Sequence, residues 1–353
     1  MEFAYKPDYE DARWHWEAFW AGEIIDRPCM RAVTPKDGIE QKPHPFGLHK
    51  PSDDFAAIAR AYDEYASTTN FAADAIPFFF PNFGPDIYAA FMGAELEFAP
   101  EQGTSWPHPF VNDWADVTKR IERPGGFWWE SARKFMSQAR EIAKGKFGVA
   151  MLDLHSNMDC LADIRGPQQL CFDLIDCPDE VEAALNAVRK SYAEVYDGLF
   201  EAAGGPATGT STWLPMYSSG KFSSVQCDFI CMISPELARR FVIPCLEEEA
   251  AFLDHCCYHC DGPDALVHLD DILAIKDIQA IQWVPGTGNP QPIEWMDLLK
   301  RIQAAGKSLW LAGSPEEVKV FHKELKPELV TYDVYAASAA EADELIKWLK
   351  KNT

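Results

Sequence analysis

The residues best suited to chemistry lie in Cys256-Cys257-Tyr258-His259-Cys260-Asp261, a short apolar run stopped by Gly262-Pro263. Side chains alternate along a strand, so this run sends His259 and Asp261 to one face and Tyr258, Cys260 and Gly262 to the other. An imidazole beside a carboxylate can hold a metal ion or move protons. The cysteines invite a zinc reading. However, Cys257, His259 and Asp261 spread over roughly 13 Å of strand at about 3.3 Å per residue, so only two neighbours reach one ion. A third ligand has to come from another strand, with Asp153, His155 and Asp333 as the choices.

The elements that must position these groups alternate. Strand-like runs at Asp26–Val33, Phe71–Pro77, Phe147–Leu152, Ala207–Leu214, Cys256–Asp261, Ala280–Val284, Lys307–Ala312 and Leu329–Tyr335 are each followed, sooner or later, by a helical segment. Such a rhythm argues for parallel strands with right-handed crossovers. Its eightfold count predicts an α/β fold of one domain over residues 1–353, a (β/α)8 TIM barrel. A helical extension over Tyr9–Ala21 precedes it, and Pro35–Ser52 and Gly93–Gly126 are loop insertions. No GxGxxG or GxxxxGK[ST] follows a strand to favour an open doubly wound sheet.

In a barrel the strand exits share one mouth, where active sites sit. Arg31, Asp153, His155, Trp213, His259, Asp261, Trp283, Asp333 and Tyr335 would meet there. Phe80 belongs to the proline-flanked Phe78-Phe79-Phe80-Pro81, which caps the core or lines a pocket. For Trp213 and Trp283 rim packing competes with a role as pocket wall, and for Arg31 an internal ion pair competes with anion binding. Ionisable side chains on one face at a strand exit are costly to bury without use, which favours function for His259 and Asp261. The stretch Pro35–Ser52 is longer than an ordinary connection and reads as a lid or binding loop.

The formal charge of −23 opposes nucleic acid and anionic membrane surfaces as partners. Met1-Glu-Phe-Ala-Tyr-Lys lacks the basic start and apolar core of a secretory signal, and no run approaches a membrane span. A cytoplasmic protein is expected, with its ten cysteines reduced and mostly in the core.

Three stretches resemble a known family. Gln226-Cys-Asp-Phe-Ile-Cys-Met-Ile-Ser-Pro-Glu236, Tyr258-His-Cys-Asp-Gly-Pro263 and Ile281-Gln-Trp-Val-Pro-Gly-Thr-Gly288, with Asp26-Arg27-Pro28 and the closing segment 338–349, are similar to the uroporphyrinogen decarboxylase-like superfamily. That superfamily includes the cobalamin:thiol methyltransferases, and the resemblance implies a barrel. In the decarboxylases an arginine-rich loop and an aspartate grip the tetrapyrrole. Here Arg31 leads into Ala-Val-Thr-Pro and Phe80 stands at the aspartate position, so heme-pathway decarboxylation is not expected.

In the methyltransferases a His-x-Cys pair and a distant cysteine hold zinc. His259 matches the histidine, Asp261 replaces the cysteine, and no cysteine lies near Tyr335-Ala336-Ala337. The resemblance therefore implies methyl transfer on a small-molecule substrate, linked to a corrinoid on a partner protein, with Zn2+ or another divalent metal at His259 and Asp261. In this reading His259, Asp261, Asp153 and His155 are catalytic. Arg31, Phe80, Trp213, Trp283, Asp333 and Tyr335 bind substrate. A lyase or decarboxylase acting on a small polar or aromatic substrate, and a non-catalytic ligand-binding barrel, are the alternatives.

Overall fold

The structure is a computed structural model that describes residues 3–115, 117 and 125–353. Its strands are β1 (Cys29–Pro35), β2 (Thr69–Ala73), β3 (Phe78–Phe79), β4 (Glu95–Ala99), β5 (Thr104–His108), β6 (Gly148–Val149), β7 (Phe222–Val225), β8 (His255–Asp261), β9 (Ala280–Val284), β10 (Ser308–Gly313) and β11 (Val330–Val334). Seven form one sheet in the order β2-β1-β11-β10-β9-β8-β7, parallel throughout except at β1/β2. Most β-to-β connections carry helices, among them Phe55–Ser67, Gly126–Ala143 and Pro178–Ala203. The fold is mixed α/β around a mostly parallel sheet.

Among the described residues the hydrogen-bonded ladder stays open, against the closed eight-stranded ring expected. The first reason is β2. Read as the next parallel strand, it instead runs antiparallel along β1 and occupies its outer edge. The chain then reverses at Ala73, whose φ of 52° is left-handed, a conformation costing an L-residue about 1–2 kcal/mol. Local bonds hold the turn: Lys6 Nζ donates to the carbonyl of Phe71 at 3.0 Å and to that of Ala73 at 2.5 Å.

Prolines supply the second reason. Pro77 and Pro81 flank Phe78–Phe79 and remove ladder donors, leaving β3 as a two-residue pair with β6. The strand expected over Ala207–Leu214 is also different. Gly204 is left-handed and Pro206 sits in the first helical turn, so Gly205–Thr208 is a helical turn, followed by a single bridge between Thr210 and Ser218. Backbone bonds from Ala150 N to Phe79 O and from Met151 N to Ser211 O, each 2.8 Å, link these pieces across the gap. Part of the insertion expected over 93–126 is the β4/β5 hairpin, and residues 116 and 118–124 of it lie outside the described residues.

Alternation along the strands separates two cores. Cys256, Tyr258, Cys260, Ile281, Leu309, Leu311 and Tyr332 pack with the helices on one face. On the other face Cys29, Cys257 and Ala280 pack with Tyr9, Trp16, Phe19, Tyr217 and Phe222. His259 and Asp261 continue the Cys257 row, so the parity read from sequence holds. Ser234 caps the helix Pro235–Phe241 by accepting from Leu237 N at 3.4 Å, with proline at its first position as expected. The ten cysteines are unpaired. Among the described residues no helix is long and apolar enough to cross a membrane.

Candidate functional site

A cavity of about 480 Å³ opens at the strand exits. Arg31 and Asp333, register partners on β1 and β11, both line it, with Arg31 Nη1 2.7 Å from Asp333 Oδ2. Phe78, Phe80, Trp213 and Trp310 form aromatic walls. The segment His44–Gly47 from the long loop after β1 supplies another side, where the His44 ring lies 3.8 Å from Phe46 and meets Tyr65 edge-on at 4.6 Å. The loop read as a binding loop thus lines the cavity.

Burial of this loop has a pH consequence. Desolvation pushes His49 down to about 4, against a weaker pull upward from Asp53. Its imidazole stands edge-on to Phe135 at 5.2 Å. Between about pH 6.5 and 4 the unfolded chain binds a proton there that the folded chain refuses, so stability falls as pH falls. At pH 5 this group is expected to contribute about 2 kcal/mol of that loss. Urea unfolding of wild type and His49→Leu at pH 7 and pH 5 checks it: the variant should lose less.

One polar side of the cavity leads to His259. Gln282 on β9 is its register partner and lines the cavity, and its Oε1 sits 2.7 Å from His259 Nδ1. An amide oxygen only accepts, so Nδ1 carries a proton, and in the neutral ring the lone pair is on Nε2. Trp213 is the second link. It lines the cavity, stands edge-on to His259 at 5.2 Å, and donates Nε1–H to Asp153 Oδ1 at 2.9 Å.

Behind this wall lies an acidic group around His155. Its Nε2 is 3.4 Å from Asp153 Oδ2 and its Nδ1 3.3 Å from Asp159 Oδ2. Gln226 Nε2 donates to Asp153 Oδ1 at 3.0 Å and also contacts His155. Burial opposes a charged imidazole, but Asp153 and Asp159 outweigh it and hold His155 well above its usual value. Burial likewise acts against Asp159, yet His155 and the amides of Phe229 and Asp228, at 2.8 and 3.0 Å, keep its carboxyl low.

Other carboxyls in the group move upward. Burial and then the field of Asp86 and Asp159 push Asp163 up to about 9. Burial is also the leading cause for Asp86, raised to about 6 although His155 pulls it down. Asp228 keeps an edge open to solvent, but loss of surrounding water and the charge of Asp159 still raise it to about 6.

His155, Asp159 and Asp228 can place one ligand atom each within 4.8 Å of one another, and so can Asp228, His259 and Asp261. The thiolate-held zinc of the resemblance does not fit this donor set. Cys257 is fully buried in the core below His259, Cys260 packs on the opposite face, and Asp261 occupies the thiolate's place. Imidazole with carboxylates fits a harder divalent cation.

The structure brings together Arg31, Phe80, Trp213 and Asp333 on the cavity, and Asp153, His155, His259 and Asp261 behind its Trp213–Gln282 wall. It does not bring Trp283 or Tyr335 there. Trp283 follows Gln282 and so turns to the other face, packing against Trp295 at 5.1 Å, and Tyr335 lies 68% exposed beyond the end of β11. Sequence reasoning missed Asp159, Asp228, Gln226 and Gln282. Asp159 stood four residues after His155, a spacing that puts both on one side of a helix start. Gln226 and Asp228 were in a stretch quoted only for its resemblance.

No known family's sequence profile matches the chain, and no curated protein matches it. Among solved structures, a methyltransferase from Methanosarcina mazei superposes with a TM-score of 0.59, covering 97% of this chain and 98% of that one at 13% identity. At that identity the likeness is one of fold.

Proposed function

We propose that this chain is an enzyme that transfers a methyl group to or from a small substrate, with a corrinoid on a partner protein as the other methyl carrier. The observation that carries the reading is the junction at Trp213 and Gln282, where an aromatic cavity abuts a His/carboxylate group. The shared fold with the Methanosarcina mazei methyltransferase supports it. So do the stretches similar to the uroporphyrinogen decarboxylase-like superfamily, which includes corrinoid-linked methyltransferases.

In this reading the aromatic walls take the apolar body of the substrate, and the donors of Arg31 not engaged by Asp333 take an anionic group. Gln282 fixes the tautomer of His259, leaving Nε2 to bind a ligand or accept a proton. Trp213 ties the cavity wall to the group behind it through its bond to Asp153. A divalent cation held by His259, Asp261 and Asp228 would supply Lewis-acid activation of the substrate heteroatom.

The test incubates the protein with methylcobalamin, or with reduced cobalamin and methylated donors, across small thiols, amines and aryl ethers, and follows the corrinoid absorbance. Methyl exchange that needs the protein is expected. Turnover of a substrate without corrinoid would replace this reading by a lyase. Arg31→Met should raise KM for an anionic substrate about 10-fold or more while changing kcat less, because a charge-assisted bond is lost in ground and transition states alike. Steady-state kinetics at matched ionic strength read it.

A further inference from the structure

We infer that the cavity is built for a flat aromatic carboxylate, with the carboxylate on Arg31 and the reacting substituent on the opposite side of the ring, beside Gln282 and His259. The inference rests on the proposed site and narrows what that site accepts.

Strand order sets the two ends of such a ligand. Arg31 on β1 and Gln282 on β9 both line the cavity, with β11 and β10 between their strands. Three strand spacings amount to about 14 Å along the sheet. The side chains also lean apart from the middle: Arg31 is held by Asp333 on β11, and Gln282 turns to His259 on β8, away from Arg31. A ligand that meets both must therefore span the strand between them. Trp310 occupies that strand, in register with Gln282, and lines the cavity. Its other register partner is Thr331, two residues before Asp333, which places the indole on the same face, one layer below the Arg31–Asp333 pair. Phe78, Phe80 and Trp213 complete the walls around this floor. Aromatic rings set against one another gain attraction beyond the area they bury, so a planar ring suits the span better than an alkyl chain.

The head group follows from the count of donors. The lining holds one guanidinium and one carboxylate, Arg31 and Asp333, and each keeps 17% exposure. Asp333 can engage at most two of the five N–H groups of Arg31, which leaves a fork for a second anion. Gln282 uses Oε1 on His259, and Asn82 uses Oδ1 on the amide of Gly84 at 2.9 Å, so both side-chain NH2 groups lack a protein partner among the described residues. Donors thus outnumber acceptors around the cavity. A carboxylate matches the planar fork, whereas an ammonium would be repelled by it. At the other end Gln282 Nε2 is left to donate to a substituent oxygen beside Trp213 and the His259 ring.

Titration calorimetry on the full chain, without corrinoid, tests the inference with 2-, 3- and 4-methoxybenzoate, methoxybenzene and 4-methoxycyclohexanecarboxylate. The 4-isomer should bind tightest. Methoxybenzene, lacking the charge, should bind about 10-fold or more weaker, and the cyclohexane analogue about 2–10-fold weaker. Arg31→Met should bring 4-methoxybenzoate down to the level of methoxybenzene while leaving methoxybenzene unchanged, which also shows that the variant is folded. Three isomers of equal affinity, a cyclohexane analogue as tight as the ring, an Arg31→Met that keeps the preference for the acid, or no binding of any benzoate would each overturn the inference. Methyl exchange on an uncharged or aliphatic substrate with no benzoate bound would sink it and leave the proposed function intact. Benzoates bound in the expected order without methyl exchange would do the reverse.

Discussion

His259→Gln is expected to lower kcat/KM for methyl transfer by about 10³-fold, or ~4 kcal/mol of transition-state stabilisation, with little change in the unfolding midpoint. The imidazole joins both halves of the site: its Nδ1 bonds Gln282 on the cavity, and it contributes to the set with Asp228 and Asp261. Glutamine approximates the reach but does not restore a ring nitrogen whose orientation is fixed by the Gln282 amide. Gln282→Leu leaves the ring in place but frees its orientation, for which about 10–100-fold in metal affinity is expected. Kinetics beside metal content separate the two. If His259→Gln turned over like wild type, the site would have to be sought elsewhere.

The second large effect concerns stability. Asp74 is 1% exposed and binds Arg27 in two places, at 2.5 and 2.9 Å; it also accepts from Met30 N at 2.8 Å and lies 3.2 Å from His15 Nδ1. Asp74→Ala strands the 5%-exposed guanidinium and the amide that starts β1. Removing one partner of a buried pair costs about 3–5 kcal/mol, which chemical denaturation reads directly. The double variant Arg27→Met with Asp74→Leu should recover much of the loss, since a packed apolar pair avoids the stranded charge. A single variant as stable as wild type would show that Arg27 finds another acceptor.

Much of the architecture was legible because it rests on local rules. The parity of Cys257, His259 and Asp261, the serine–proline start at Ser234-Pro235 and the alternation of strand with helix all follow from chain geometry. What escaped was pairing direction and edge order. Phe71–Pro77 has the composition of a strand whichever way it runs, and only the register on β1, from Thr69 opposite Pro35 to Ala73 opposite Arg31, shows it antiparallel. The site divides the same way. Residues at strand exits were visible, but Asp228 is delivered by a turn whose position depends on Asp159, a tertiary fact with no signature in spacing. Trp283 was misassigned by one residue, and a shift of one on a strand exchanges cavity for core.

The rungs Arg31–Asp333 and His259–Gln282 carry a further implication. Both are cross-strand neighbours, so the polar marks that a substrate would read are written into the same pairings that assemble the sheet. An engineer who wanted a different specificity could not slide a strand to obtain it. New preferences would have to come from the roof at His44–Gly47 and from the aromatic walls, the parts of the cavity whose remodelling leaves the assembly code untouched.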